Sequence, residues 1–561
     1  MWGRFPVPQV PPPFQQQQQQ QRSRWEYGRR QPCSPTVAVA AHEGLMAEMA
    51  RLVGLPPHAT SQAGPNPNAM RIIVVGAECA PWSKTGGLGD VMAALPKALA
   101  ARGHQVMIVA PRYQQYDDTW DSGVRLRMRC FNSLQEVSFF HTMRDGVDCV
   151  FIDHPAFHNL GRHIYGGSHM EVLFRSALLS KAALEAPWHV PCCAGGATYG
   201  SDNLLFVAND WHAALLPVYL QAHYRDYGKL QYARSLLVLH NVAHQGRFPL
   251  TDLHLLEIPE HYQEVLRHQD SEAGHEHLNI LKAGAITCHR LVAVSRGYAK
   301  ECQTKQQGFG LEGVLRQQAW KLRGVVNGID YSEWHPLSDP HLQSDGYTNY
   351  DADSLALGKA CCKAALQQEL GLPVDSAVPL LAFIGRLDQQ KGVDLIRDSF
   401  EWLMGQGAQL VLLGSGQAEL EAALRGMEQR APSQCRAWVG FSVGLAHRIT
   451  AGADMLLMPS RFEPCGLNQL YAMAYGTVPI VRSTGGLADT VFPFDPYSNQ
   501  GTGWVFEKDD ALDFRQAMQH GLFTFREHRQ SFEGLQLRGM AQDLSWGTAA
   551  AAYEEVLLAA R

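Results

Sequence analysis

The sequence predicts an α/β protein built of two doubly wound units that face each other across a cleft. Three observations carry this. From Met70 onward, short continuous apolar runs alternate with helical stretches, and runs of about four or five such residues indicate parallel strands covered on both faces. Two glycine-rich turns, Lys84-Thr85-Gly86-Gly87-Leu88-Gly89-Asp90 and Ser483-Thr484-Gly485-Gly486-Leu487-Ala488-Asp489, each follow such a run in a different half of the chain. The polar residues that stand out between them, Arg386, Lys391 and Glu463, also fall in loops just after apolar runs. Open α/β sheets bind ligands beyond the carboxyl ends of their strands.

The strand runs of the first half are Ile72–Val75, Val106–Ala110, Leu205–Ala208, Leu236–Leu239 and Leu291–Val294. Those of the second half are Leu380–Ile384, Leu410–Leu413, Met455–Met458 and Val478–Val481. A chain of 561 residues suggests two or three domains. Its 46% apolar and 18% charged residues are those of a soluble globular protein. A net charge of −6 gives no general pull toward nucleic acid or anionic lipid. No apolar run approaches the roughly 18 residues of a membrane span. The 12 cysteines contain no C-x-x-C and read as mostly reduced thiols. His275-Glu276-His277 lacks the spacing of a zinc helix and reads as a polar loop, so no metal site is expected.

Residues 1–69 form a separate segment. They hold Pro11-Pro12-Pro13, a glutamine run from Gln15 to Gln21, and the turn-rich Gly64-Pro65-Asn66-Pro67-Asn68. Too few large apolar residues are present to offset the entropy of ordering such a chain. Before Glu43 the only acid is Glu26, against five arginines. That composition suits an organelle transit peptide and equally a plain unfolded tail.

In the first glycine turn, Gly86, Gly87 and Gly89 remove side chains, so backbone N–H groups can approach an anion. A helix beginning near Asp90 would aim its positive end at the same point, and Lys84 adds an ammonium. A tight turn beside a solvated lysine is the competing explanation. In Gly385-Arg386-Leu387-Asp388-Gln389-Gln390-Lys391-Gly392, Arg386 offers a rigid charged fork and Lys391 a point charge five residues on. The two can converge on one diphosphate, or form a surface pair. In Ser460-Arg461-Phe462-Glu463-Pro464-Cys465-Gly466-Leu467, Glu463 stands before a helix entry, either as a first-turn charge or beside an anion site.

Taken together, these motifs resemble the starch and glycogen synthases of the glycosyltransferase family 5 type. The most specific stretches are Lys84–Asp90, Asn209-Asp210-Trp211-His212, His240-Asn241-Val242-Ala243-His244-Gln245-Gly246, Val326-Asn327-Gly328-Ile329-Asp330, Gly385–Gly392 and Ser460–Leu467. Ala208–Leu216, His447–Leu467 and Phe492–Pro496 look like the class II soluble starch synthases of plants and green algae. The resemblance implies a B-type glycosyltransferase fold, two Rossmann-like domains facing a deep cleft. It further implies transfer of glucose from ADP-glucose to the non-reducing end of an α-1,4-glucan such as amylopectin, with retention and with no metal or other cofactor. It places Lys84, Arg386 and Lys391 on the ADP diphosphate and Glu463 beside the glucosyl group. By the same resemblance, Asp210 and His240 match positions lining the glucosyl site, and Gly86, Gly87, Asp90, Asn327, Cys465, Gly466, Leu467, Gly485 and Gly486 match further donor-binding positions, while His212 fits a helix-start or packing role as well. A silent glucan-binding scaffold, and a granule-bound or UDP-glucose-using synthase, are the competing readings.

The expected division is an acceptor-side domain at 70–322, a donor-side domain at 323–534, and a C-terminal segment at 535–561 that crosses back to the first domain. A plastid location follows from the resemblance, with association to starch granules or other starch-synthesis enzymes as further expectations. Three positions depart from the family pattern. Tyr471 stands where the wider B-type group often has a second glutamate. Ser295-Arg296-Gly297 replaces a Ser-Pro-Gly, and Arg482-Ser483-Thr484 precedes the second glycine turn.

Overall fold

A computed structural model describes residues 66–161, 163–192, 196–269 and 274–561. The proline- and glutamine-rich stretch up to residue 65, and with it the transit-peptide expectation, lies outside the described residues.

All nine apolar runs are strands, with every boundary within a residue or two of expectation. The first lobe is built on a nine-stranded sheet. Its order is Leu322–Gly324, Arg290–Ala293, Arg234–Leu239, Leu204–Asn209, Arg71–Val75, Gln105–Pro111, Val147–Asp153, Ser133–Arg144 and Trp120–Cys130. The first seven pair in parallel. The last two ladders are antiparallel, so this sheet is mixed rather than wholly parallel. Its edge strand explains the difference: along Trp120–Cys130 exposed and half-buried positions alternate, with Arg125, Arg127 and Arg129 on the exposed ones. A strand buried on one face alternates instead of forming an apolar run, and charged side chains along its edge discourage further pairing.

The second lobe's six strands are all parallel, in the order Cys435–Val439, Gln409–Gly414, Leu380–Ile384, Met455–Met458, Val478–Arg482 and Trp504–Phe506. Leu380 and Ala382 enter one apolar core, Leu381 and Phe383 another. Neighbouring side chains point to opposite faces of a strand, so helices cover both faces.

The parallel strands of each of these two sheets reverse their order once. In the first the reversal falls between Arg71–Val75 and Leu204–Asn209, in the second between Leu380–Ile384 and Met455–Met458. These are topological switch points, where such sheets open a crevice beyond the strand ends. The last helix, Trp546–Leu558, lies on helix Gly87–Ala101 of the first lobe. There Arg102 donates to Glu554 at 2.7 Å and His104 approaches it at 3.2 Å. The returning chain runs beside the outgoing one: Ile329 donates its N–H to Leu544 at 2.8 Å and forms a parallel bridge with Ser545.

Candidate active site

Residues predicted from the sequence flank both switch points. Lys84 and Asp90 stand on the loop and helix that follow Arg71–Val75, and Asp210 follows Leu204–Asn209. Arg386 and Lys391 follow Leu380–Ile384, and Glu463 follows Met455–Met458. The two sets face one another. A methyl on Gly87 would lie 3.6 Å from Leu467 Cδ1 of the second lobe. The rings of Phe309 and Phe462 meet across the cleft at 5.5 Å. Cys465 is buried in the first lobe's apolar core, and burial pushes its thiol up to about 12, so it is no thiolate.

On the second lobe, Lys391 Nζ donates to Glu463 Oε2 at 2.6 Å, and Ser460 Oγ donates to the same oxygen at 3.1 Å. Glu463 is only 7% exposed, so its carboxylate is fixed by this cation rather than by water. Arg386 is more open, pairing with Asp388 at 2.9 Å and donating to Gln390 at 3.2 Å. The loops carrying these residues are laced together. Arg461 N donates to Gln390 O at 2.8 Å, Arg461 Nη1 to Gln389 O at 2.7 Å, and Gln390 Nε2 to Phe462 O at 3.1 Å. A two-pronged pair between Arg461 and Asp394, at 2.8 and 2.7 Å, anchors the lacing and holds the guanidinium well above its ordinary range.

On the first lobe, Lys84 pairs with Asp90 at 2.6 Å. Burial raises the Asp90 carboxyl, and Lys84 partly opposes that. Each cation therefore faces a carboxylate of its own lobe, not the cation opposite. The helix starts at Gly87, ahead of the expected Asp90. Its loop N–H groups are not all free for an anion: Glu78 accepts from Thr85 N at 2.6 Å, Thr85 Oγ1 at 2.7 Å and Gly86 N at 3.2 Å, and also binds the Tyr165 hydroxyl. Sequence reading missed Glu78. Its signal is a carboxylate three residues beyond the same strand, 2% exposed.

Asp210 sits at φ +56°, accepting from His240 N at 2.8 Å and Asn241 N at 3.3 Å. Burial lifts its carboxyl to about 7, with those two N–H groups opposing the rise. Burial alone lowers His240 to about 4, so its ring is neutral at pH 7. Asn209 donates its Nδ2 to Val75 O at 3.1 Å, leaving Oδ1 to accept from His240 Nε2 at 2.9 Å. That assigns the ring proton to Nε2 and leaves Nδ1 an acceptor. His212 is half-buried, lowered to about 3 by desolvation, and packed against Trp211 and Tyr165, contacts that fit a packing role. Asn327 is 5% exposed with an unpartnered Oδ1, and its backbone N–H meets the Cys465 thiol.

The second glycine turn behaves differently from the first. Gly485 has φ +46°, and a methyl there would meet Glu463 O at 2.1 Å. One on Gly486 would meet Cys465 O at 2.0 Å, and Gly486 N donates to Glu463 O at 3.0 Å. These glycines are the bed on which the Glu463 segment lies. Gly466, at φ +70°, turns the chain from Cys465 toward Leu467.

Beside the cleft opens a cavity of about 880 Å³, walled by Trp211, Phe248 and Phe309 with His244, Arg247 and Lys305. Burial, and then the Arg386 charge, lower His244. An aromatic trough next to a cationic pocket suits a long polar chain with apolar ring faces meeting an anionic leaving group. Among the described residues, His141–Asp148–Cys192 and Asp339–His341–His447 bring ligand-type atoms within 4.8 Å. Their carboxylates are already taken: Asp148 by His141 and Tyr199, Asp339 by His447, Tyr475 and His341 N.

The family model described as the starch synthase catalytic domain matches residues 71–317, and one described as glycosyl transferases group 1 matches 378–522. Soluble starch synthase 2-1 of Oryza sativa subsp. japonica, a protein named chloroplastic/amyloplastic, is 53% identical over 95% of this chain and 71% of its own. Granule-bound starch synthase 2 of Solanum tuberosum is 57% identical over 88% of this chain. The first curated relatives are matched over only 61 to 65% of their own length. Relatives of type 1 match at 46 and 47% identity, below the 53 to 57% of type 2. The solved catalytic domain of starch synthase IV from Arabidopsis thaliana, bound to ADP and acarbose, superposes with a TM-score of 0.78 at 32% identity. That alignment covers 88% of this chain and 99% of the other.

Proposed function

Since the chain belongs to the starch synthase family, has the two-lobed B-type fold expected from its sequence, and resembles the class II soluble enzymes, we propose that it transfers glucose from ADP-glucose to the non-reducing end of an α-1,4-glucan. The observation that carries this reading is the Lys391–Glu463 pair at the second switch point, with Arg386 on the same loop and the first glycine loop touching Leu467 opposite. Arg386, Lys391 and Lys84 are the groups that would meet the diphosphate. Charge builds on that phosphate as the glycosidic bond breaks, and fixed guanidinium and ammonium groups stabilise it without reorganising. Glu463 stands beside the sugar as it becomes cation-like. Neutral His240 offers Nδ1 to a sugar hydroxyl, and Asp210 holds the His240 backbone in place.

In this reading the acceptor hydroxyl attacks from the face the phosphate leaves, and the departing phosphate takes its proton. The glucose therefore keeps its configuration. The Trp211–Phe248–Phe309 trough takes the glucan. Residues 70–322 form the acceptor side, 323–534 the donor side, and 535–561 the return to the first lobe. The chloroplastic/amyloplastic names of the relatives support a plastid location. The granule-bound names of two relatives support association with starch.

The test is incorporation of labelled glucose into glycogen or amylopectin from ADP-glucose and from UDP-glucose, for the native chain and Glu463→Ala. Incorporation from ADP-glucose that Glu463→Ala lowers about a hundredfold supports the reading. Preference for UDP-glucose overturns the donor, and glucan binding without incorporation makes the chain a scaffold. A glucosyl adduct trapped on Glu463 or Asp210 overturns the single-displacement route.

A further inference from the structure

The segments around two of the sequence's departures from its family pack together. Gly297, of Ser295-Arg296-Gly297 in the first lobe, packs on Gly485 of the second, where a methyl on Gly297 would lie 2.5 Å from Gly485 O. Helix Arg296–Glu301 starts at this contact, and its last residue, Glu301, reaches the other departing segment. Its carboxylate accepts from Gly485 N at 2.7 Å and from Thr484 Oγ1 at 3.1 and 3.2 Å. The clasp is reciprocal. Asp489, on the short helix that Gly485 opens, accepts from Gly297 N at 2.8 Å.

The same contact leads directly to the reacting residues. Gly485, held by Glu301, lies against Glu463 O, and Gly486 N donates to that oxygen. Ser295, 0% exposed, donates from Oγ to Pro464 O at 2.5 Å while capping its own helix through Tyr298 N. The carbonyls of Glu463 and Pro464 are thus pinned from opposite sides, one by the second glycine turn and one by a first-lobe serine. A residue that ties Thr484 and Gly485 to the first lobe fixes the Glu463 carboxylate relative to groups on both lobes.

We propose that Glu301 is a positioning residue for the transfer site: through Thr484 and Gly485 it holds the Glu463 segment in register with the first lobe. This rests on the transfer activity proposed above. Glu301 acts on the Glu463 segment through the Gly485 N–H and the Thr484 hydroxyl. Burial raises the Glu301 carboxyl, and the Gly485 N–H, the Thr484 hydroxyl and the Arg482 charge partly oppose that rise. Holding reacting groups in a near-attack geometry is worth orders of magnitude in rate, and small displacements forfeit much of it.

The experiment compares Glu301→Ala, Glu301→Gln, Thr484→Val and the double variant Glu301→Ala/Thr484→Val with the native chain. Initial rates are measured against ADP-glucose and against glycogen, and amide hydrogen exchange is measured over 463–467 and 484–487. Glu301→Ala is expected to lower kcat about tenfold or more, with both KM values within about twofold. Glu301→Gln keeps an acceptor oxygen and is expected to recover most of kcat. The double variant is expected to be little worse than Glu301→Ala, because both groups act in one chain of contacts. Faster exchange confined to those two stretches is expected in Glu301→Ala. Unchanged kcat with unchanged exchange overturns the proposal, and so does a Gln variant as impaired as Ala. If the native chain incorporates no glucose, the transfer reading fails. The exchange result then still decides whether Glu301 holds the Glu463 segment.

Discussion

Lys391 and Glu463, separated by 72 residues in the chain, meet at 2.6 Å and join the two loops that bracket the second sheet's switch point. The pair leaves the carboxylate with a cation partner and the cation with one shared oxygen, so each is the other's support. Lys391→Ala and Glu463→Ala are each expected to lower kcat by on the order of 3 kcal/mol of barrier, about a hundredfold. The double variant is expected to lose far less than the sum, because the two act as a unit. Single-turnover rates on glycogen check this, and full additivity would separate the two roles.

Arg461 supports both loops through Asp394, Gln389 and Gln390. Arg461→Lys keeps the charge but loses the fork that grips Asp394 and Gln389 together. A fall in kcat of several-fold, with a drop in Tm of a few degrees, is expected. Kinetics and thermal melts on the same preparation test it; a Lys variant indistinguishable from native removes the lacing from the account.

Asp210 makes stability depend on pH. Its folded value of about 7 lies above the unfolded range near 3.9, so the folded chain keeps a proton that the unfolded chain releases. Stability therefore falls as pH rises between about 4 and about 7, and the loss is complete above that window. Asp210→Asn keeps an oxygen for His240 N and removes the titration. It is expected to gain Tm over native at about pH 8 and to show no gain at about pH 4. His240 and His212, lowered to about 4 and 3, act in the opposite sense below about 6.5. The difference between variant and native, followed by melting across pH, is therefore the readout.

Phe309 lies at the mouth of the aromatic trough and against Phe462. Phe309→Ala is expected to raise KM for glycogen about tenfold while KM for ADP-glucose stays within about twofold. The reverse pattern would assign the trough to the donor.

The sequence displayed what repeats locally and concealed what is made by folding. Leu380–Ile384 and Met455–Met458 are legible because strands buried on both faces leave unbroken apolar runs. Cys435–Val439 is not, because Arg436 interrupts it and turns out to bind the carbonyls of Leu370 and Gly371. Loops after strands pointed to Lys84, Arg386, Lys391 and Glu463 for the same reason, since the carboxyl ends of strands are where such sheets open. Glu78 shares that position but stands in no glycine turn, and Glu301, at the end of a helix, lacks the position too. Each is an ordinary acid until folding presents N–H groups to it. The second glycine turn reads like the first, yet its glycines admit a neighbouring carbonyl where those of the first border the cleft.

The two passages of chain at Ile329 and Leu544–Ser545 lie side by side, bonded to each other. One tether would leave the halves free to swivel about any direction. A paired tether behaves like a strap hinge: folding about a line across both cords is soft, whereas twisting must stretch one cord against the other. Loading and release of the donor should therefore follow a single swing, and a cut made in either cord should broaden that swing before it disturbs the chemistry.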